Sequence, residues 1–402
     1  MVDLVCFGEI MLRLSPEYGY RLFQNDTMKT CFGGSEANVA VFCAQTGIKS
    51  KYVTKLPDNP LGGAVKSELS GFGVDTSDIL TGGERLGVYY YEKGASHRPS
   101  VCVYDRKYSS FSQSKREEYD WEKILRGAKV FHFSGITPVL SAELADACLD
   151  GCKTAKKLGL TVFCDLNHRE KLCGKEEMKS IMENLLPYVD VFISSVYQAN
   201  DIFTIGAADN DTEKMCVTVA SALTEGYGSK AVALTVRKTY SADKNGFYGM
   251  VYDNEMAYFS KEYDINVVDR VGSGDAFDGA LIRSFLLGHD MKTAVEYAAA
   301  AAALKHSVNG DFSHITAKEL DAFVGGGDGR VQRYLRIQKQ GVGCADELFG
   351  EPRPPISPNP SASPHFLDQR SRGRGFSRRQ AIHGGANSCR MTIHARSAIH
   401  AL

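Results

Sequence analysis

The strongest constraint on the fold is a recurring pairing of short, unbroken apolar runs with longer amphipathic ones. The runs "DLVCFGE" (3–9), "KVFHFSG" (129–135), "TVFCDLN" (161–167), "VDVFISS" (189–195) and "AVALTV" (231–236) read as strands. Between them lie helical segments, such as "SEANVAVFCAQTG" (35–47), closed by its glycine, "SAELADACLDGCKTAKKLG" (141–159) and "KEEMKSIMENLLPY" (175–188). A strand that is apolar at successive positions has no face to offer water, and intervening helices supply the cover on both sides. Parallel pairing in a doubly wound α/β sheet follows.

Two early segments break this rhythm. Residues 11–32 and 86–113 are rich in aromatic and β-branched side chains, carry glycine or proline turns and lack a helical stripe, so hairpins are expected there. Because they flank the first α/β unit, they are expected to form a small β lid over the sheet edge. The body so defined spans 1–333. Beyond it, "EPRPPISPNPSASP" (351–364) holds six of the twelve prolines, and seven arginines with no acid follow Asp368. Proline at that density removes backbone donors, so residues 334–402 are expected to be a disordered tail, Pro-rich and then Arg-rich.

Composition excludes several classes. A net charge of -1 gives the body no nucleic-acid footprint, and no run reaches the roughly 18 apolar residues of a membrane helix. The start "MVDLVCFGEIMLRL" lacks a basic n-region and cleavage site, so no membrane partner and a cytoplasmic address are expected. Eleven cysteines without a CxxC pair point to free thiols rather than zinc or disulfides.

The chemistry concentrates in "VDRVGSGDAFDGALI" (268–282), where Gly272, Ser273 and Gly274 precede Asp275 and an apolar helix. A helix N-terminus offers unpaired N–H groups and partial positive charge, so Asp275 either caps the helix or shares the spot with a phosphate. Phe277 stands where a dinucleotide fingerprint needs its third glycine, and no Walker-type phosphate loop is present. If the turn aims its N–H groups at a transferring phosphoryl group, Asp275 is placed to take the proton of the attacking hydroxyl. Ligands of an open parallel sheet bind at the carboxyl ends of its strands. Gly33-Gly34, Asp165, Asn167, Arg169, Ser195 and residues 235–238 are expected at that rim.

With "GGSEANVAVFCAQTG" from Gly33 and "DRVGSGDAFDGALI" from Asp269, the chain resembles the ribokinase-like sugar kinases, also called the phosphofructokinase B family, over nearly all of residues 3–333. Within it, "VYYYEKG" (88–94), "YDRKYSS" (104–110), "HFSGITPVLS" (132–141) and "DLNHR" (165–169) are similar to the 2-keto-3-deoxygluconate kinases. The resemblance implies a kinase that uses ATP and Mg2+. It implies that Gly33, Gly34, Asn38, Tyr89, Tyr90, Tyr104, Arg106 and Arg169 hold a sugar acid, whose carboxylate suits an arginine fork. Asp275 would be the base and Gly272 to Gly274 the anion hole, while Asn167, Ser195, Thr235, Arg237, Lys238 and Asn309 would approach ATP, with Lys305 a further candidate beside the adenine. A neutral-sugar kinase and a non-catalytic relative are the alternatives, and lid-to-lid homodimerisation is expected. One departure is noted: "SVYQ" (195–198) stands where the family carries N-x-x-E, so Gln198 replaces an acid that helps organise magnesium.

Overall fold

In the computed structural model, which describes residues 2–207 and 211–327, the parallel sheet forms as the apolar runs require. The chain divides into two units, Met1–Gln332 and Arg333–Leu402, and every described residue lies in the first. The expected tail falls outside the described residues.

Six strands pair in parallel in the spatial order Ser50–Val53, Leu4–Phe7, Val130–Ser134, Thr161–Asp165, Val191–Ser195 and Ala231–Thr239. The sheet then continues antiparallel through Lys244–Tyr252, which pairs with both Ala257–Phe259 and Tyr263–Asn266. This extension was not expected from the sequence, although "DKNG" before an apolar run carries a turn signal. Alternation along each strand feeds two separate cores. Leu4 and Cys6 face one side, with helices Ser35–Gln45, Ser273–Leu286 and Met291–Lys305. Val5 and Phe7 face the other, with Ala142–Lys157, Lys175–Leu185 and Thr212–Tyr227. The alanines from Ala298 to Ala302 are fully buried, which lets the Met291–Lys305 helix lie close against Ser273–Leu286. Among the described residues no helix is long and apolar enough to cross a membrane, and the cysteines are all free thiols.

The lid is a separate four-stranded sheet. Each expected hairpin is present, Met11–Ser15 with Lys29–Gly33 and Gly87–Glu92 with Val101–Asp105, and the two are joined by parallel pairing of Met11–Ser15 with Gly87–Glu92. Residues 106–113 form no strand. The chain order reverses at Leu4–Phe7, which sits between Ser50–Val53 and Val130–Ser134. A crevice opens at such a reversal, outside the carboxyl ends of the strands, and the lid strands lie over it.

Candidate active site

Under the lid is a cavity of about 330 Å3 whose wall draws on both sheets and on the glycine turn. Gly272 adopts φ 82°, a left-handed conformation, and a Cβ there would stand 2.3 Å from the Asp311 carbonyl oxygen. Only glycine fits such a position. The turn leads into Ser273–Leu286, whose N-terminus receives no side-chain cap.

Asp275 is therefore not a cap. Its carboxylate turns away from its own helix and accepts from Ser35 Oγ at 2.8 Å and Asn38 Nδ2 at 2.6 Å on the facing helix. Burial raises its pKa, and the hydrogen bonds from Asn38 and Ser35, followed by the charge of Arg169, oppose that rise. The Ser273 N–H turns back to the Arg270 carbonyl. Among the described residues the N–H groups of Gly274 and Asp275 have no partner, so they, rather than that of Ser273, are free to receive an anion.

Asp165, at the end of its strand, and Asp278, one turn after Asp275, complete a group of three carboxylates whose oxygens lie within 4.8 Å of one another. Burial pushes Asp165 up to about 7, with the Asp275 charge adding. Burial raises Asp278 as well, with the charges of Asp165 and then Asp275 adding, and its Oδ2 is buried without a partner among the described residues. A hard divalent cation suits such oxygens. A second cavity, of about 280 Å3, is lined by Asp278, Ser195, Gln198 and Thr235. Asp165, Asn167, Arg169, Arg237 and Gly274 line both cavities. Asn167 has φ 38° and donates through Nδ2 to Ser35 Oγ at 2.9 Å, which ties this shared wall to the Asp275 network.

The structure distributes the other candidates unevenly. Gly33, Gly34, Asn38, Tyr89, Tyr104, Arg106 and Arg169 line the first cavity. A Cβ on Gly34 would lie 2.0 Å from the Glu9 carbonyl oxygen, so this position also requires glycine. Tyr90 is not brought there. Alternation along Gly87–Glu92 sends it to the opposite face, where its ring lies 5.7 Å from Phe23, and Tyr91 lines the cavity instead. Arg106 is committed: its fork bonds Glu9 Oε2, with Nε at 2.7 Å, and both side chains are buried. The Arg169 carbonyl accepts from the Leu172 N–H, but the guanidinium makes no hydrogen bond or ion pair among the described residues, so its charge is available. Lys238 pairs with Glu262 on the surface, and Asn309 is exposed and lines neither cavity. Ser195 caps its helix by accepting from the Gln198 N–H, and Gln198 Nε2 donates to the His168 carbonyl at 3.1 Å. Lys305 lines neither cavity. It is fully buried, and its Nζ donates to the carbonyls of Val308 and Gly310.

Sequence reasoning passed over a buried ionic network behind the turn. Arg13, on the lid, bonds Asp269 at 2.7 Å and Asp311 at 3.0 Å, and the Tyr89 hydroxyl donates to Asp311. These partners lie far apart in the chain, which left no local signal.

Comparison with known proteins fits this geometry. The model of the pfkB family of carbohydrate kinases matches residues 1–316. A 2-dehydro-3-deoxygalactonokinase of Haloferax volcanii is 34% identical over 331 residues, covering 82% of this chain and 99% of the relative. The crystal structure of a 2-dehydro-3-deoxygluconokinase from Thermotoga maritima superposes with a TM-score of 0.78 at 46% identity, covering 81% of this chain and 98% of that one. An Escherichia coli chain assigned as a ribokinase II, solved with ATP and Mg2+, shares the fold, with a TM-score of 0.69 at 20% identity, over 81% of this chain and 99% of that one. The parallel sheet with its β lid, the glycine turn beside a buried aspartate and the match over most of the chain establish that the protein belongs to the pfkB family of carbohydrate kinases.

Proposed function

We propose that the protein phosphorylates 2-keto-3-deoxygluconate at the expense of ATP, yielding 2-keto-3-deoxy-6-phosphogluconate. The observation that carries this reading is the pair of cavities meeting at Gly274, with Asp275 facing the one under the lid and Arg169 uncommitted on the shared wall. The sugar acid occupies the cavity under the lid and the nucleotide enters from the other, with its terminal phosphate reaching through the shared wall to the glycine turn. Asp275 takes the proton of the terminal hydroxyl as that oxygen bonds the γ-phosphorus and the bond to ADP breaks, while the Gly274 and Asp275 N–H groups receive the developing charge. Mg2+, which neutralises phosphate charge when bound, would be held by Asp165 and Asp278. The amide of Gln198 supplies no charge there.

The substrate class rests on the carboxylate. Of the two arginines that the resemblance names for the sugar acid, Arg106 is neutralised by Glu9 and Arg169 is left to pair with the carboxylate. The names of the Thermotoga maritima and Haloferax volcanii relatives both denote such acids and differ in the configuration of one hydroxyl carbon. The activity is assigned to residues 1–333, working in the cytoplasm. Self-association is assigned to the lid, whose outer strand Val101–Asp105 exposes Val101 and Val103 beside a backbone edge that is unpaired among the described residues. A single monomeric species in sedimentation would exclude that assignment.

The test is ADP release with ATP, Mg2+ and 2-keto-3-deoxygluconate, 2-keto-3-deoxygalactonate, fructose or ribose, for the wild type and Arg169→Ala. A wild-type preference for the acids that Arg169→Ala reduces about tenfold or more supports the reading. Turnover on a neutral sugar that is indifferent to Arg169 would replace it with a neutral-sugar kinase. Sugar binding without turnover would point to a non-catalytic relative.

A further inference from the structure

Two arginines in the wall behind the glycine turn carry charge that no carboxylate offsets. Arg270 follows Asp269 directly, yet Asp269 is engaged elsewhere. Its Oδ2 pairs with Arg13 and accepts the Gly310 N–H, and its Oδ1 accepts the Val271 N–H at 3.1 Å. Arg270 reaches only the Ala242 carbonyl, through Nη2 at 3.2 Å, and its Nε is buried without a partner. Arg237 is placed in the same manner: Nη2 donates to Ser273 Oγ at 3.1 Å, and its Nε is also buried and unpaired. Neither guanidinium forms an ion pair among the described residues. Burial pushes Arg237 down to about 10, the charges of Arg270 and Arg169 push the same way, and all three guanidinium-bearing residues line one cavity.

Like charges and orphaned donors in a single wall are costly until an anion completes them. A sugar hydroxyl can occupy a donor but cannot balance the charge. The position selects the kind of anion. Arg237 is bonded to Ser273, the residue that opens the helix, and both arginines line the cavity together with Gly272, Ser273 and Gly274. An anion there would meet the free N–H groups and the positive end of the helix as well as the two forks, a setting that matches the several oxygens and high charge of a phosphoryl group.

We propose that Arg270, with Arg237, forms a phosphate subsite on the Ser273 side of the glycine turn, which grips a phosphoryl group during transfer. The phosphate belongs either to the nucleotide or to the phosphorylated sugar acid. For the nucleotide, the inference rests only on the chain being a carbohydrate kinase. For the product, it rests on the substrate proposed above.

The test compares wild type, Arg270→Met and Arg270→Lys, in the full chain, by titration calorimetry with ATP, tripolyphosphate, adenosine and 2-keto-3-deoxy-6-phosphogluconate. The expected result is that Arg270→Met weakens ATP and tripolyphosphate by about tenfold or more, as loss of a charged hydrogen-bond donor implies, while adenosine binds within about twofold of wild type. Arg270→Lys should recover part of the loss, because it keeps the charge but not the fork. It also serves if the methionine variant fails to fold. A tenfold loss confined to the phosphorylated sugar acid also supports the subsite and assigns it to the product. Unchanged binding of every phosphate ligand overturns the proposal, as does a loss confined to the unphosphorylated sugar acid. The ATP, tripolyphosphate and adenosine titrations involve no sugar, so an error in the substrate assignment leaves them interpretable.

Discussion

Asp275→Asn separates chemistry from packing at the proposed centre. The carboxylate accepts from Ser35 Oγ and Asn38 Nδ2, and Ser35 Oγ itself accepts from Asn167 Nδ2. An asparagine of the same shape can keep the bond from Asn38 and turn its amide towards Ser35, so at most about one hydrogen bond, roughly 0.5–1.5 kcal/mol, is at risk. Against this, burial raises the Asp275 pKa, so the ionised carboxylate costs stability at neutral pH and an uncharged amide removes that cost. The melting temperature should therefore stay level or rise. Turnover should fall about 10²- to 10⁴-fold, the usual contribution of a general base, which is a barrier increase of roughly 2.7–5.5 kcal/mol. The assay is coupled ADP release with 2-keto-3-deoxygluconate, alongside thermal unfolding and calorimetric binding of sugar and ATP. A variant that folds, binds both ligands and turns over within about tenfold of wild type would remove Asp275 from the mechanism.

The pH dependence follows from the same environment. The base must be ionised, so kcat/KM should fall with decreasing pH through an apparent pKa above the ordinary carboxylate range, and an acid limb near 4 would contradict the burial of Asp275. Asp165, pushed up to about 7, contributes stability that is full below its unfolded pKa of about 3.9 and is lost as pH rises through about 7. Asp165→Asn should therefore flatten the decline in unfolding free energy over that interval, as read from urea titrations at several pH values. Glu9→Gln leaves buried Arg106 without its counter-charge and should cost about 3–5 kcal/mol, with much of the loss returned in Glu9→Gln/Arg106→Met. A loss below about 1 kcal/mol would show that the pair is not formed. Gly272→Ala must place a Cβ 2.3 Å from the Asp311 carbonyl at φ 82°, so at least about 1–2 kcal/mol of stability and most of the turnover should be lost. Retained activity would mean that the turn does not serve as the anion hole.

Much of this protein was legible in the chain because the relevant physics is local. Unbroken apolar runs cannot face water on either side, so the parallel sheet and its helical layers follow from patterning; each of the five runs holds a strand, although Ala231–Thr239 continues past its run and Ser50–Val53 was not anticipated. The glycine turn before Asp275 was legible for the same reason, since only glycine tolerates φ 82° and a neighbouring carbonyl at that distance. Three consecutive tyrosines, by contrast, carry no register. Pairing with Met11–Ser15 and Val101–Asp105 decided that Tyr89 and Tyr91 face the cavity while Tyr90 meets Phe23.

Charge was decided almost entirely by tertiary structure. Arg106 and Arg169 look alike in sequence, but Glu9, 97 residues from Arg106, neutralises the first and leaves the second free. Arg270 lies inside the most informative stretch of the chain, next to an acid that would locally be taken for its partner. The lid's Arg13, 256 residues from Asp269, claims that acid instead. Backbone conformation and strand burial are set by neighbours along the chain, so the sequence by itself determined them. Which charges are cancelled and which remain for a ligand depends on contacts between distant segments, so only the folded chain could decide it.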